Sequence, residues 1–404
     1  MGESFMRKAT PYRIRCRGQN AWRLPTVGIG AVLAVVLLPA VASFSDRRPV
    51  QFFFATAWAA TPDSGQRPAE RWQDTVAKAK KEGKVVLLGP PVAEVRPSII
   101  QAFQKEFPEI ALDYQAGSLG PMTAKLRAEL ASKKTSFDVA VGGTSVLRSR
   151  DLFDPINTRL MYPDANRPEA WRSTRGKGLK WVDHEKQFAL QTSEWVFSYV
   201  LVNSKLVEPS SLSTWQDLLK PQWKEKIAFF DPRGSGAGEE VASYLLVKFG
   251  EKFILDLVKS QNVGLTRSYS QIADWLAQGK YAVGIAQVPD RIEALRKEGV
   301  PLRAYSLTDG PGTLTGGFSV VSLFKNSPNP NAATVFINWI LTKTGQEALM
   351  RPQLYPSLRS DVPTDYVPQY TLPQPGLDYL DTYTEEFQLK REQLSKHVRD
   401  LLGR

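Results

Sequence analysis

Cysteine is almost absent: the 404 residues hold one, Cys16. No intrachain disulfide can form, and zinc held by several cysteines is excluded. Histidine is nearly as scarce, with only His184 and His397, far apart in the sequence. Two such residues cannot make a zinc site by themselves, and a Ser/His/Asp triad would have to draft one of them with no G-x-S-x-G elbow nearby. Both read as surface residues. Internal repeats are missing too, as is any low-complexity tract outside the first sixty residues. No stripe of interleaved basic and aromatic residues marks a nucleic-acid surface.

Apolar residues are plentiful. They make up 42% of the chain and aromatics 10%, enough to fill the cores of two ordinary domains. The N-terminus stands apart, because Arg7, Lys8, Arg13, Arg15, Arg17 and Arg23 precede an uncharged run from Leu24 to Ser45. A charged stretch followed by an apolar one is the order of an export signal, with small-x-small cleavage sites at Ala40-Val41-Ala42 and Ala57-Trp58-Ala59. We place the cut at the second, and so assign residues 1–59 to the signal; an uncleaved anchor is the alternative, since the run is long enough to span a bilayer. Either way the body of the chain is expected outside the cytoplasmic membrane. Cys16 leaves with the signal. So does most of the basic charge: residues 1–59 carry eight Lys/Arg and two Asp/Glu, which reduces the net +11 to +5.

From Glu70 the pattern alternates. ERWQDTVAKAKKEGK, RPSIIQAFQKEFPE and GPMTAKLRAELASKK read as helices, and KVVLLG, IALDYQAG and FDVAVGG as the strands after them. Such alternation predicts a mainly parallel sheet flanked by helices. The three strands end in polar turns rich in glycine and proline, at Gly89-Pro90-Pro91, Gly117 to Pro121 and Gly142 to Ser145, and the crevice beyond strand carboxyl ends is where open α/β sheets bind ligands. A second α/β half follows the extended run FALQTSEWVFSYVLVNSKL. It includes IAFFD, YAVGIAQ and several helices. GGFSVVSLF then returns to the first half as a strand, and TYTEEFQLKREQLSKHVRDLLG forms an amphipathic C-terminal helix.

Between IAFFD and a helix stands FDPRGSGAGEE. It lacks the lysine and hydroxyl of GxxxxGK[ST], and Glu239 and Glu240 would repel a polyphosphate. Two readings stay open: a turn whose N–H groups and Arg233 hold one small anion, or a packing turn with Arg233 solvated. Carboxylates are many, but no spacing singles out a hydrolytic pair. Trp171, Trp181, Trp215, Trp223, Trp275 and Trp339 read as core residues; Trp195 is the aromatic ligand candidate.

Taken together, VAKAKKEGKVVLLGPP, FDVAVGGTSVL, STWQDLLKPQWKEKIAFFDPRGSGAG, SQIADWLAQGKYAVGIA and NPNAATVFINWILTKTGQEAL resemble the extracellular solute-binding proteins of ABC transporters, in the branch that includes periplasmic iron(III)-binding proteins. The resemblance implies a two-lobed type 2 periplasmic-binding-protein fold, each lobe a mainly parallel sheet with helices, and a ligand cleft between them. Lobe 1 is expected at 60–190 plus 310–352, and lobe 2 with the C-terminal helix at 191–309 plus 353–404. It further implies a monomer without catalysis or cofactor, whose partners are a small-molecule solute and an inner-membrane ABC permease. A periplasmic hydrolase and a sensor module are the rival classes.

On these positions the resemblance places the first-lobe ligand residues at Pro91, Val92, Ser118, Gly143, Thr144 and Ser145. Glu194 and Trp195 come from the crossing strand, and Arg233, Ser235, Gly236, Tyr269 and Gln287 from the second lobe. Glu194 could accept a ligand amine or pair with a neighbouring base. Where iron-binding members carry two adjacent tyrosines, after the strand that here reads YAVGIA, this chain has Gln287-Val288. Tyr269 and Tyr355 are the remaining sources of phenolate for a ferric ion. A small organic anion, carrying carboxylate, phosphonate, phosphate or sulfonate, fits Arg233 and the helix N-termini better.

Overall fold

The structure is a computed structural model and describes residues 68–403 apart from Arg175. The expected export segment, with Cys16, lies outside the described residues. The first half begins with α1 (Pro68–Glu82), β1 (Lys84–Gly89), α2 (Val95–Glu106), β2 (Ala111–Ala116), α3 (Leu119–Ala131) and β3 (Val139–Gly142). β2, β1 and β3 lie side by side in parallel. Val85, Val86, Leu87 and Leu88 of β1 are all buried, so both faces of the strand are covered, as the continuous apolar run requires between two helix layers.

A 3₁₀ helix, Thr144–Leu152, leads through β4 (Phe153–Asp154), the hairpin β5 (Arg172–Ser173) and β6 (Gly176–Lys177), and then β7 (Lys180–Trp181) and β8 (Leu190–Gln191). Next β9 (Trp195–Phe197) leaves this lobe and β10 (Val200–Asn203) opens the other. The second lobe is built from β11 (Ile227–Phe230), α4 (Ala237–Phe249), α5 (Glu251–Leu255), β12 (Gly264–Thr266), α6 (Tyr269–Ala277), β13 (Val283–Ile285), α7 (Pro289–Lys297) and β14 (Leu302–Tyr305). Its strand order is β12-β11-β13-β10-β14. The chain returns along β15 (Thr313–Thr315), antiparallel to β9, and β16 (Val320–Phe324) inserts into the first sheet, giving the order β2-β1-β3-β16-β8-β7.

Each sheet is therefore mixed, where the alternating pattern predicts a mainly parallel one. The parallel trios are β2-β1-β3 and β12-β11-β13, while β16 and β10 run against their neighbours. These two strands are reached by crossing from the other lobe rather than through a local helix, and only local crossovers impose parallel pairing.

The last quarter of the chain ties the halves together. α8 (Pro330–Ile340) and α9 (Lys343–Met350) pack on the first lobe, where Phe103 of α2 meets Trp339 with ring centroids 5.0 Å apart. Ser357 and Arg359 bridge to Ser193 and Trp171. β17 (Leu380–Asp381) then pairs in parallel with β15, and α10 (Glu385–Leu402) closes the chain. The lobes are thus joined by a ribbon of three strands, β17-β15-β9. Next to it Ser198 has φ 70 and Gly312 φ 111; a Cβ on Gly312 would come within 2.3 Å of the Phe197 carbonyl oxygen, so glycine is required there. No helix among the described residues is long and apolar enough to cross a membrane.

Candidate functional site in the interlobe cleft

The turns after β1, β2 and β3 reach the cleft at the carboxyl ends of their strands, and bring Pro91, Ser118, Gly143, Thr144 and Ser145 to one wall of a cavity of about 330 Å³. Ser118 precedes α3 and Gly143 precedes the 3₁₀ helix, and neither helix start is capped by a side chain. The hydroxyls of Ser118, Thr144 and Ser145 have no hydrogen-bond partner among the described residues. Arg148 lines the same wall and has no carboxylate or carbonyl partner there. Its place follows from the helix type: in a 3₁₀ helix residues three apart eclipse, so Arg148 stands over Ser145.

The second lobe supplies Ser235, Gly236, Ala237, Glu240, Tyr269 and Val288. Gly236 adopts φ 133 just before α4, a conformation that lets the turn enter the helix and that a side chain resists. The Tyr269 ring stacks on Phe230 with centroids 4.3 Å apart, and its hydroxyl accepts the Ala237 N–H at 3.4 Å. The floor is aromatic. Trp195 and Phe197 rise from β9, and Trp195 stacks on Tyr355 at 4.8 Å. The C-terminal segment adds Tyr383 and Arg391.

Nine of the thirteen expected ligand residues line this cavity: Pro91, Ser118, Gly143, Thr144, Ser145, Trp195, Ser235, Gly236 and Tyr269. The other four do not. Val92 packs against the first-lobe core. Glu194 is buried and bonded to Lys180 Nζ and to the Thr174 N–H, the latter at 2.8 Å; side chains alternate along an extended strand, so the residue beside a cleft-facing Trp195 points the other way. Arg233 donates from Nε and Nη2 to the Asp231 carboxylate at 2.9 and 3.1 Å. Gln287 is 2% exposed, and its backbone carbonyl accepts the Tyr199 hydroxyl at 2.8 Å.

Arg148, Glu240, Tyr383 and Arg391 are among the lining residues that the sequence did not offer as ligands. Burial raises the Glu240 carboxyl above its usual range, against the pull of Arg391. Burial also pushes the Tyr269 phenol up to about 12, and Tyr355 well above its ordinary value. The Tyr383 hydroxyl donates to the Gly317 carbonyl at 2.7 Å. Among the described residues no group of three or more His, Cys, Asp or Glu is placed to hold a metal ion. A larger hollow, about 1010 Å³, lies under the loop Pro373–Tyr379 beside α4; the first lobe touches it through Thr174 and none of the turns after β1, β2 and β3 opens into it, so the interlobe cavity is the better site.

The profile of the family described as bacterial extracellular solute-binding protein matches residues 98–372, more than half of the chain. The chain belongs to this family. A relative of this solute-binding protein from Haemophilus influenzae, described only as an uncharacterized protein, is 30% identical over 137 residues, which are 33% of this chain and 38% of that one. The matched part thus spans well under two thirds of that relative. Solved structures share the fold at low identity. The periplasmic binding protein AfuA of Actinobacillus pleuropneumoniae, with exogenous fructose-6-phosphate bound, is 20% identical over 79% of this chain and 98% of its own, with a TM-score of 0.61. Iron-bound HitA of Pseudomonas aeruginosa is 17% identical over 78% and 99%, with a TM-score of 0.57. An ABC-transporter substrate-binding protein of Agrobacterium tumefaciens is 16% identical over 79% and 94%, with a TM-score of 0.63. These likenesses show the two-lobed periplasmic-binding-protein fold.

Proposed function

We propose that this protein is the periplasmic solute-binding component of an ABC importer, that it captures a small organic anion between its lobes without chemical change, and that it presents the loaded form to an inner-membrane permease. One observation carries the choice of an anion. Arg148 faces the cavity with no partner among the described residues, beside the hydroxyls of Ser118, Thr144 and Ser145, likewise unclaimed there, and the uncapped start of the 3₁₀ helix. A guanidinium presents a planar fork that matches carboxylate and phosphate oxygens, and helix N-terminal N–H groups favour negative charge. The sugar phosphate bound by AfuA is a small organic anion of this kind.

The solute docks on the first-lobe wall, and lobe closure adds Ser235, Gly236 and Tyr269. Affinity therefore depends on contacts made only in the closed arrangement. The aromatic floor of Trp195 and Tyr355 suits the apolar or ring-bearing body of a solute.

A second reading, ferric iron, draws on the presence of Tyr269, Tyr355 and Tyr383 in one cavity and on iron-bound HitA. Burial works against it by holding these phenols protonated. Isothermal titration of carboxylates, phosphate monoesters, phosphonates, sulfonates and ferric citrate into the wild type and Arg148→Ala separates the two. Organic-anion binding that the substitution weakens supports the anion; ferric binding that it leaves intact overturns it.

A further inference from the structure

We propose that the first turn of α10 is an interlobe latch, a set of breakable contacts that holds the second lobe to the first and sets how readily the cleft opens. α10 lies beyond residue 372, where the family match ends. Most of its length is fixed to the second lobe. Nη2 of the buried Arg391 donates to Glu239 and to the Gly236 carbonyl, each at 3.2 Å, and Nη1 lies 3.6 Å from Glu240. The Ser395 hydroxyl donates to Glu239 as well. Further along, His397 Nε2 is 2.7 Å from Glu251, and Lys259 Nζ donates to the Leu401 carbonyl at 2.8 Å. Taking one partner from a buried ion pair strands the other charge. This end of the helix is the anchor.

The N-terminal turn reaches across to the first lobe. Arg150 Nη2 is 2.9 Å from the Glu385 carboxylate, the His184 backbone N–H donates to Glu385 at 2.7 Å, and His184 Nε2 is 3.0 Å from Glu386. Arg150 sits on the 3₁₀ helix Thr144–Leu152, and His184 in the turn between β7 and β8. The outer contact faces water, with the His184 and Glu386 side chains 65% and 62% exposed, whereas the Arg150–Glu385 pair beneath it is more sheltered, at 30% and 12%. An exposed pair such as His184–Glu386 is weak and screened by salt, and Arg150 is still less buried than Arg391 at the anchor, whose side chain is 9% exposed, so this end of α10 releases first.

The latch and the solute act on one segment. Arg148, which lines the cavity, and Arg150, which grips Glu385, flank the kink at Ser149 within Thr144–Leu152. Solute held at Arg148 and the latch at Arg150 therefore act on adjoining turns on the two sides of that kink, and a coupling between them is reciprocal. The latch itself stands on the interlobe contacts; only this coupling rests on the solute reading.

The test uses the full chain with Cys16→Ser, no solute, and spin labels at Lys125 on α3 and Lys252 on α5, whose side chains are 66% and 87% exposed. Double electron–electron resonance on the otherwise unchanged chain gives one short interlobe distance. In E385Q/E386Q a longer-distance population appears, and about 1 M salt, with a Debye length of about 3 Å, produces it without the substitutions. Hydrogen exchange from Arg391 to Val398 stays slow throughout. Identical distance distributions overturn the proposal, as does loss of protection along the whole of α10, because anchor and latch would then not be separable. No solute takes part, so failure here leaves the anion reading intact, and loss of anion binding in Arg148→Ala leaves the latch intact.

Discussion

The Arg233 guanidinium is clamped on the Asp231 carboxylate: Nε is 2.9 Å from Oδ1, Nη2 is 3.1 Å from Oδ2, and the Arg233 backbone N–H donates to the same Oδ1 at 3.0 Å. Arg267 adds a second cation, 3.4 Å from Oδ2. Burial alone would raise Asp231, but the bonds from Arg233 win and hold its carboxyl below the usual range.

A pH dependence follows. A carboxyl whose folded value is depressed binds fewer protons in the native state than in the unfolded chain, so it stabilises the fold above the unfolded value of about 4 and loses that contribution as pH falls through the depressed one. Arg233→Gln should lower stability at pH 7 by about 1 kcal/mol, a size set by the partial exposure of the pair. The gap to the wild type should close as urea unfolding is repeated toward pH 3. A gap that widens in acid would contradict this.

Arg148 predicts the opposite phenotype. It makes no intramolecular bond among the described residues, so Arg148→Ala should leave the unfolding midpoint unchanged. Anion affinity should drop at least tenfold, as expected for a charge-assisted hydrogen bond of about 1.5–3 kcal/mol. Arg233→Gln should bind within a few-fold of the wild type. Titration calorimetry on the two variants side by side tests the assignment.

The contrast between these arginines shows what the sequence discloses and what it hides. The β1-α2-β2-α3-β3 alternation, the return of Val320–Phe324 and the amphipathic Glu385–Leu402 helix all carry their period in local residues, and all three elements form. Arg233 stood out because glycines surround it, yet Asp231, two residues back, takes its guanidinium, and no periodicity reports such a pairing. Arg148 carried a usable signal, the i+3 spacing from Ser145, but only for a reader who knew that Thr144–Leu152 is a 3₁₀ helix. Glu194 could have been set aside by strand alternation once Trp195 was put in the cleft. Arg391 looks like any solvated charge on an amphipathic helix; only the long-range contact with Glu239 turns it inward. β17 is two residues long, too short for any pattern.

Lys180 and Glu194 form a buried pair with side chains 4% and 2% exposed. Lys180→Met would leave Glu194 without its cation, at a cost of about 3–5 kcal/mol. Glu194→Gln should be destabilising as well, while solute affinity per folded molecule stays unchanged. A selective loss of affinity in Glu194→Gln would return this residue to the cleft.

Trp195 ties the crossing ribbon to the C-terminal segment through its stack on Tyr355, with the rings 27° from parallel. Trp195→Ala should destabilise by about 3–5 kcal/mol, the range for emptying a large aromatic site. Trp195→Phe should keep the fold and still weaken binding, because the floor of the cavity is lowered. Denaturant unfolding and calorimetry on both variants separate the two effects.

The central claim is that the interlobe cleft carries a small organic anion. Native mass spectrometry of the protein purified directly from its own periplasm, combined with metal analysis of the same sample, addresses it most directly. The expected result is a metal-free adduct of one small anionic molecule, released intact and absent from Arg148→Ala. Stoichiometric iron without such an adduct, retained in Arg148→Ala, would contradict the account and move the site to the tyrosines.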